Sequence, residues 1–197
     1  MTIAGKNSLP GVSPGQKLAR IVRHYVGCSL SNRVDELGAL VARGVDEPKA
    51  VVGIKTNCGT FSLGVLAQAG AAHALLDRKY VNGMAIAWLL EIGRDLGALV
   101  AVPNPMPLSV KPPLGALLHY GTPGKNNDHV EWLLSEVAPS GAADTGGGGR
   151  ANNAITSGRG VVAWNNGRPL LHYLDPNKLG IEVVRAGSDI NEAYPDA

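Results

Sequence analysis

The sequence predicts an α+β protein, with a helical N-terminal half packed on a β-rich, antiparallel C-terminal half. Three observations predict it. Before residue 102, apolar residues recur at three- and four-residue spacing, the period of one helix face. Five prolines then crowd the stretch from Pro103 to Pro113, a density that no helix or central strand tolerates. Beyond them, short apolar runs alternate with turn-forming clusters. At 197 residues the chain reads as one domain over 1–197, made of a helical half (1–102), a proline-rich connector (103–114) and a β-rich half (115–197).

The first helix has a start written into it. Ser13-Pro14-Gly15-Gln16 supplies an N-cap, a proline at the first helical position and a glutamine at the third. Leu18, Ile21, Val22 and Tyr25 form its face, and Gly27 is its stop. A second helix is expected from Asn32 to Arg43, with Val34, Leu37 and Val41 inward and Gly44 ending it. A third runs from Asn57 to Ala69 on Phe61, Val65, Leu66 and Ala69. A fourth runs from Asn82 to Leu96 on Ala85, Trp88, Leu89, Ile92 and Leu96. After the connector, Gly115–Tyr120, Val130–Val137, Val161–Trp164 and Leu170–Leu174 suit strands, separated by "GTPGKNND", "APSGA" and "GGGGRANN". The tail "SDINEAYPDA" is expected to fray.

Composition narrows the function. Hydrophobic residues are 45% of the chain but aromatics only 5%, so the core must be built from Ala, Val and Leu. A net charge of +2, from 18 basic and 16 acidic residues, leaves no footprint for nucleic acid. Met84–Val102 is apolar but broken by Glu91, Arg94 and Asp95, which argues against membrane insertion. The N-terminus lacks the apolar run of a secretory signal, so a cytoplasmic protein, or one delivered by a phage or secretion system, is expected. Neither glycine-rich loop binds phosphate by pattern. "GTPGKNND" lacks the spacing and the Ser/Thr after lysine, and "TGGGGRANN" has no lysine.

Two cysteines in a chain of this length are neither a disulfide framework nor a metal site. Cys58 falls in the first turn of the third helix, where unpaired N–H groups and the helix dipole favour a thiolate. Asn57 is a good cap before it, and Gly59 leaves room for a substrate. The competing reading is a buried thiol acting as a small hydrophobe, the role expected of Cys28. A cysteine nucleophile needs a base. His24 and His73 sit in helical stretches and His119 and His172 in strand runs. His129 follows a polar loop and opens the strand "VEWLLSEV", where the backbone is fixed and the ring can reach a pocket. Strand alternation puts His129 on one face with Glu131 and Leu133.

With those residues in place, "TNCGTFSLGVLAQAG" resembles the nucleophile helix of the papain-like cell-wall hydrolases, the NlpC-type endopeptidases and the CHAP amidohydrolases/peptidases. "GALLHYGTPGKNNDHVEWLLSEV" resembles their following hairpin. The likeness covers roughly 57–154. Where the family usually has Asp-Cys-Ser and Gly-Asp, this chain has Asn57-Cys58-Gly59 and Gly115-Ala116. The resemblance implies a papain-like fold and a Cys58–His129 pair with a third, polar member on the strand after the histidine strand. Asp144 is nearest that position, with Asn152 and Asn153 as rivals; Glu131 ranks lower because it shares the histidine's own strand. It implies cleavage of amide bonds in peptidoglycan peptides or another amide substrate, with no metal or organic cofactor, and leaves room for an inhibitor or delivery protein as partner. A non-catalytic papain-like binding module and an acyltransferase using the same triad are the alternatives. Gly146–Gly149 is expected to be a mobile flap beside the site or a plain flexible turn.

Overall fold

A computed structural model describes residues 11–46, 58–78, 85–125, 127–149 and 154–182. Among them are five α-helices, α1 (Pro14–Tyr25), α2 (Val34–Gly44), α3 (Cys58–Ala69), α4 (Ala74–Arg78) and α5 (Ala85–Asp95). Seven strands follow, β1 (Leu99–Ala101), β2 (Leu117–Tyr120), β3 (His129–Leu133), β4 (Ala142–Gly147), β5 (Thr156–Val161), β6 (Trp164–Asn165) and β7 (Arg168–Leu174). The fold is α+β, with one antiparallel sheet in the order β1-β7-β2-β3-β4-β5 and β6 paired to β7. No helix among the described residues is long and apolar enough to cross a membrane.

The start of α1 forms for the reason written in the sequence. In α1 the Gln16 N–H donates to Ser13 Oγ at 3.2 Å, and the Ser13 N–H donates to Gln16 Oε1 at 2.9 Å, a complete capping box. Gly27 after it has φ +89°, the left-handed stop. Helix α2 spans the expected stretch, but it buries Leu37, Leu40 and Val41 while Val34 is exposed. Helix α3 is not amphipathic: every residue from Cys58 to Leu66 is buried. It runs through the middle of the protein, against α1, α2, α5 and the sheet. Glycines let α2 and α3 approach closely. A Cβ on Gly64 would lie 2.7 Å from the Leu40 carbonyl oxygen, and one on Gly44 would lie 2.8 Å from that of Leu63.

The sheet carries a core on each face. Leu117, Val130, Trp132 and Leu174 join the helices' apolar side chains. Leu118, Tyr120, Leu133, Ala143 and Leu170 face the other way, where Val102, Met106 and Val110 of the proline-rich segment cover them. The connector is therefore a lid on the second core rather than a bare link. Three strand expectations change. The 99–101 stretch, assigned to the helical half, is an edge strand on β7. The Val161–Trp164 run is not one strand; the chain turns at Val162 and Ala163, leaving β5 on one side and β6 on the other. Gly146 and Gly147 are neither flap nor flexible turn but buried members of β4. A Cβ on Gly146 would meet Leu134 at 2.8 Å, so these glycines make room for neighbours. The expected helix cap Asn57 and the "SDINEAYPDA" tail lie outside the described residues.

Candidate active site

Two elements converge on the sulfur. Cys58 opens α3, 8% exposed, and His129 opens β3. The His129 ring and the backbone N–H groups of Gly59 and Val130 favour the charged form of the thiol. The Val130 donor is available because of how β3 and β4 part. N–H groups alternate sides along a strand. Those of Leu133 and Leu134 point to β2 and β4 respectively, so that of Val130 points to the β4 side. There the β3–β4 register runs only through Trp132↔Gly146 and Leu133↔Thr145, which leaves the Val130 N–H free of a β4 partner and able to favour the Cys58 thiolate.

A buried clamp holds helix and strand in register. The Trp132 indole N–H donates to Ser62 Oγ at 3.1 Å, and the Ser62 hydroxyl donates to the Cys58 carbonyl at 2.8 Å. Trp132 is 0% and Ser62 1% exposed, so the chain is dry and a broken link leaves an unsatisfied donor. Gly59 has a different reason from the one expected. Its missing Cβ makes room for α5, not for a substrate: a Cβ there would sit 2.8 Å from Ala85 Cβ and 3.1 Å from the Ile86 nitrogen.

The carboxylate beside the histidine is not the one expected from the sequence. The structure brings Glu131, not Asp144, to the histidine. Glu131 Oε1 lies 3.1 Å from His129 Nε2, which leaves Nδ1 to face the sulfur. Thr145 Oγ1 donates to Glu131 Oε2 at 2.8 Å. Asp144 points instead to Arg159, with its Oδ1 3.1 Å from Nη1 in an exposed ion pair. The physical reason is strand alternation: Asp144 and Thr145 are adjacent on β4, so their side chains take opposite faces. Asn152 and Asn153 lie outside the described residues.

The electrostatics of the three groups agree. Burial pushes the Cys58 thiol up, but the His129 hydrogen bond and charge and the two backbone N–H groups outweigh it, and the net shift is down. Burial opposes charge on His129 as well; its bonds to Cys58 and Glu131 win and raise it to about 9. Glu131 is held below the usual carboxylate range against its burial, chiefly by His129 and Thr145 and further by a bond from Asn165. Cys28, by contrast, is pushed up by burial and is free, as Cys58 is. A cleft of about 220 Å³ opens beside Glu131, walled by Tyr120, Thr145, Arg159, Trp164 and Asn165.

The remaining histidines are elsewhere. His119 and His172 stack with centroids 5.4 Å apart and Nδ1 atoms 3.2 Å apart, beside Asp128. His24 lies near Glu36 and His73 near Asp95. Among the described residues no three His, Cys, Asp or Glu side chains are grouped to hold a metal ion. No protein-family model, curated protein or solved structure matches the chain.

Proposed function

We propose that the chain is a cysteine hydrolase of the papain-like kind, cleaving amide bonds with Cys58 as nucleophile, His129 as base and acid, and Glu131 as the group that orients the ring. The observation that carries the reading is the continuous chain from thiol to imidazole to buried carboxylate. Glu131 keeps the proton on Nε2 and stabilises the ring's charge. His129 takes the thiol proton through Nδ1. The thiolate attacks the amide carbonyl carbon, and the oxyanion is met by N–H groups at the start of α3. The C–N bond breaks as His129 returns its proton to the leaving amine, giving a thioester. Water, deprotonated by the same ring, attacks the thioester, releases the carboxylic acid and restores the thiol.

The resemblance of "TNCGTFSLGVLAQAG" and "DHVEWLL" to the papain-like cell-wall hydrolases favours peptidoglycan peptides as the substrate class. Purified peptidoglycan incubated with the wild-type chain should release new amino groups, with the fragments identified by mass spectrometry. Cys58→Ala should release none. No release by the wild type, or equal release by both, overturns the proposal. Products carrying an added amine in place of water would assign acyl transfer, and binding without cleavage would assign a non-catalytic module.

A further inference from the structure

We propose that Asn165 and Thr145 are positioning residues of the site: from two different strands they fix the Glu131 carboxylate so that it meets the His129 ring and does not swing into the neighbouring cleft. This rests on the cysteine-hydrolase reading and extends it to residues outside the triad. Glu131 reaches His129 from two positions along one strand, a gap of roughly 6.6 Å at strand rise. A side chain with three rotatable bonds has several staggered conformers, and holding its far end selects the one that meets the ring. Each carboxylate oxygen has its own tether. Oε1 meets His129 Nε2 at 3.1 Å, and Oε2 accepts from Thr145 Oγ1 at 2.8 Å. Asn165 lines the same cleft, and its side chain further favours the charged carboxylate. All of this happens at the edge of the cleft that Glu131, Thr145 and Asn165 line together.

The sequence explains how Asn165 comes to be there. Asn166 and Gly167 have φ +47° and +76°, both positive, as the tight two-residue hairpin turn with Asn-Gly requires. The turn pairs Asn165 with Arg168 and so fixes the direction in which Asn165 leaves β6. Arg168 Nη1 in turn donates to the Asn127 carbonyl at 3.0 Å, in the loop that leads to His129. The "NNG" of "AWNNGRP" thus has a role beyond reversing the chain. The other titratable groups that face the carboxylate are His129 on its own strand and Tyr120 on β2, kept protonated by burial and by the Glu131 charge.

The test is the pH profile of Cys58 alkylation by iodoacetamide, read by mass spectrometry between pH 5 and 9, with Cys28 as internal reference and a melting curve as control for folding. Thr145→Val and Asn165→Ala should each slow Cys58 alkylation at pH 6 by about threefold to tenfold and move the acid limb to higher pH. Thr145→Ser, which keeps the hydroxyl, should restore the wild-type profile. Profiles for Thr145→Val and Asn165→Ala that superimpose on an activated wild type overturn this inference alone. A wild-type Cys58 no more reactive than Cys28 overturns the inference and the hydrolase reading together. A variant that melts early is replaced by Asn165→Asp, whose added negative charge beside Glu131 should distort the acid limb if the contact is real and leave it unchanged if it is not.

Discussion

Replacing Glu131 by glutamine keeps the shape of the side chain and removes its charge, which isolates what the carboxylate does for His129. At the observed 3.1 Å, two unit charges attract by about 5 kcal/mol in an effective dielectric near 20, an upper bound on the loss. Hydrogen bonds to charged groups set a narrower range, about 1.5–3 kcal/mol. At about 1.4 kcal/mol per factor of ten, the thiolate–imidazolium form of Cys58 and His129 should fall roughly ten- to a hundredfold at pH 6. The assay is the second-order rate of Cys58 alkylation at that pH. Asp144→Asn is the matched control. Its ion pair with Arg159 is 46% exposed on the Asp144 side and 59% on the Arg159 side, so it contributes about 0–1 kcal/mol and none of it to the thiol. The rate should stay within about twofold of wild type. Glu131→Gln alkylating as fast as wild type, or Asp144→Asn losing as much as expected of Glu131→Gln, would refute the assignment of the third member.

Three further outcomes follow from the packing and the charges. Gly59→Ala forces a Cβ to within 2.8 Å of Ala85 Cβ, and overpacking of this kind costs about 1–3 kcal/mol; urea unfolding should show a lower midpoint at unchanged slope. Ser62→Ala strands the buried Trp132 N–H at about 1–3 kcal/mol, and it should also slow Cys58 alkylation, because the helix start is no longer pinned to the histidine strand. His119 and His172 are both lowered, His119 by burial and the His172 charge against the pull of Asp128, and His172 by burial and Arg94. A histidine whose folded pKa lies below its unfolded value of about 6.5 binds fewer protons folded than unfolded, so it costs stability as pH falls below 6.5. His129 has the opposite sign: its contribution is complete below 6.5 and is lost as pH rises through about 9, so it is flat in the acid window. Stability measured in urea should therefore drop between pH 6.5 and 5, and His119→Gln should make that slope shallower. An unchanged slope would show that the stacked pair does not titrate there.

The parts of the fold that could be read from the sequence are those whose cause is local. The capping box at Ser13 and Gln16 involves residues three apart, and it forms as written. The helix that carries Cys58 follows from apolar periodicity, and the start of β3 at His129 from a preceding polar loop. What could not be read depends on neighbours distant in the chain. A glycine is ambiguous in sequence, since it can free its own backbone or make room for someone else's side chain. Gly59 and Gly146 do the second, for Ala85 and Leu134, neither of which is near enough in sequence to be inferred. Strand β4 is hidden for the same reason: "AADTGG" carries no β-branched or aromatic run, and it becomes a strand because β3 and β5 pair with it on both sides.

The meeting of Glu131 with His129 was legible, and strand physics shows why the adjacent strand drew attention instead. Alternation already puts His129 and Glu131 on one face of β3. The family pattern points to the adjacent strand, and a short carboxylate could not have bridged two positions along its own strand. Glutamate has one more methylene than aspartate, and Thr145 and Asn165 stand ready to hold its end, so the same strand can supply base and orienter together. That also changes the demands on the adjacent strand. β4 no longer has to present a carboxylate to the ring; it provides Thr145 and then stops pairing where Val130 turns its N–H to Cys58. The site is made at the point where two strands part.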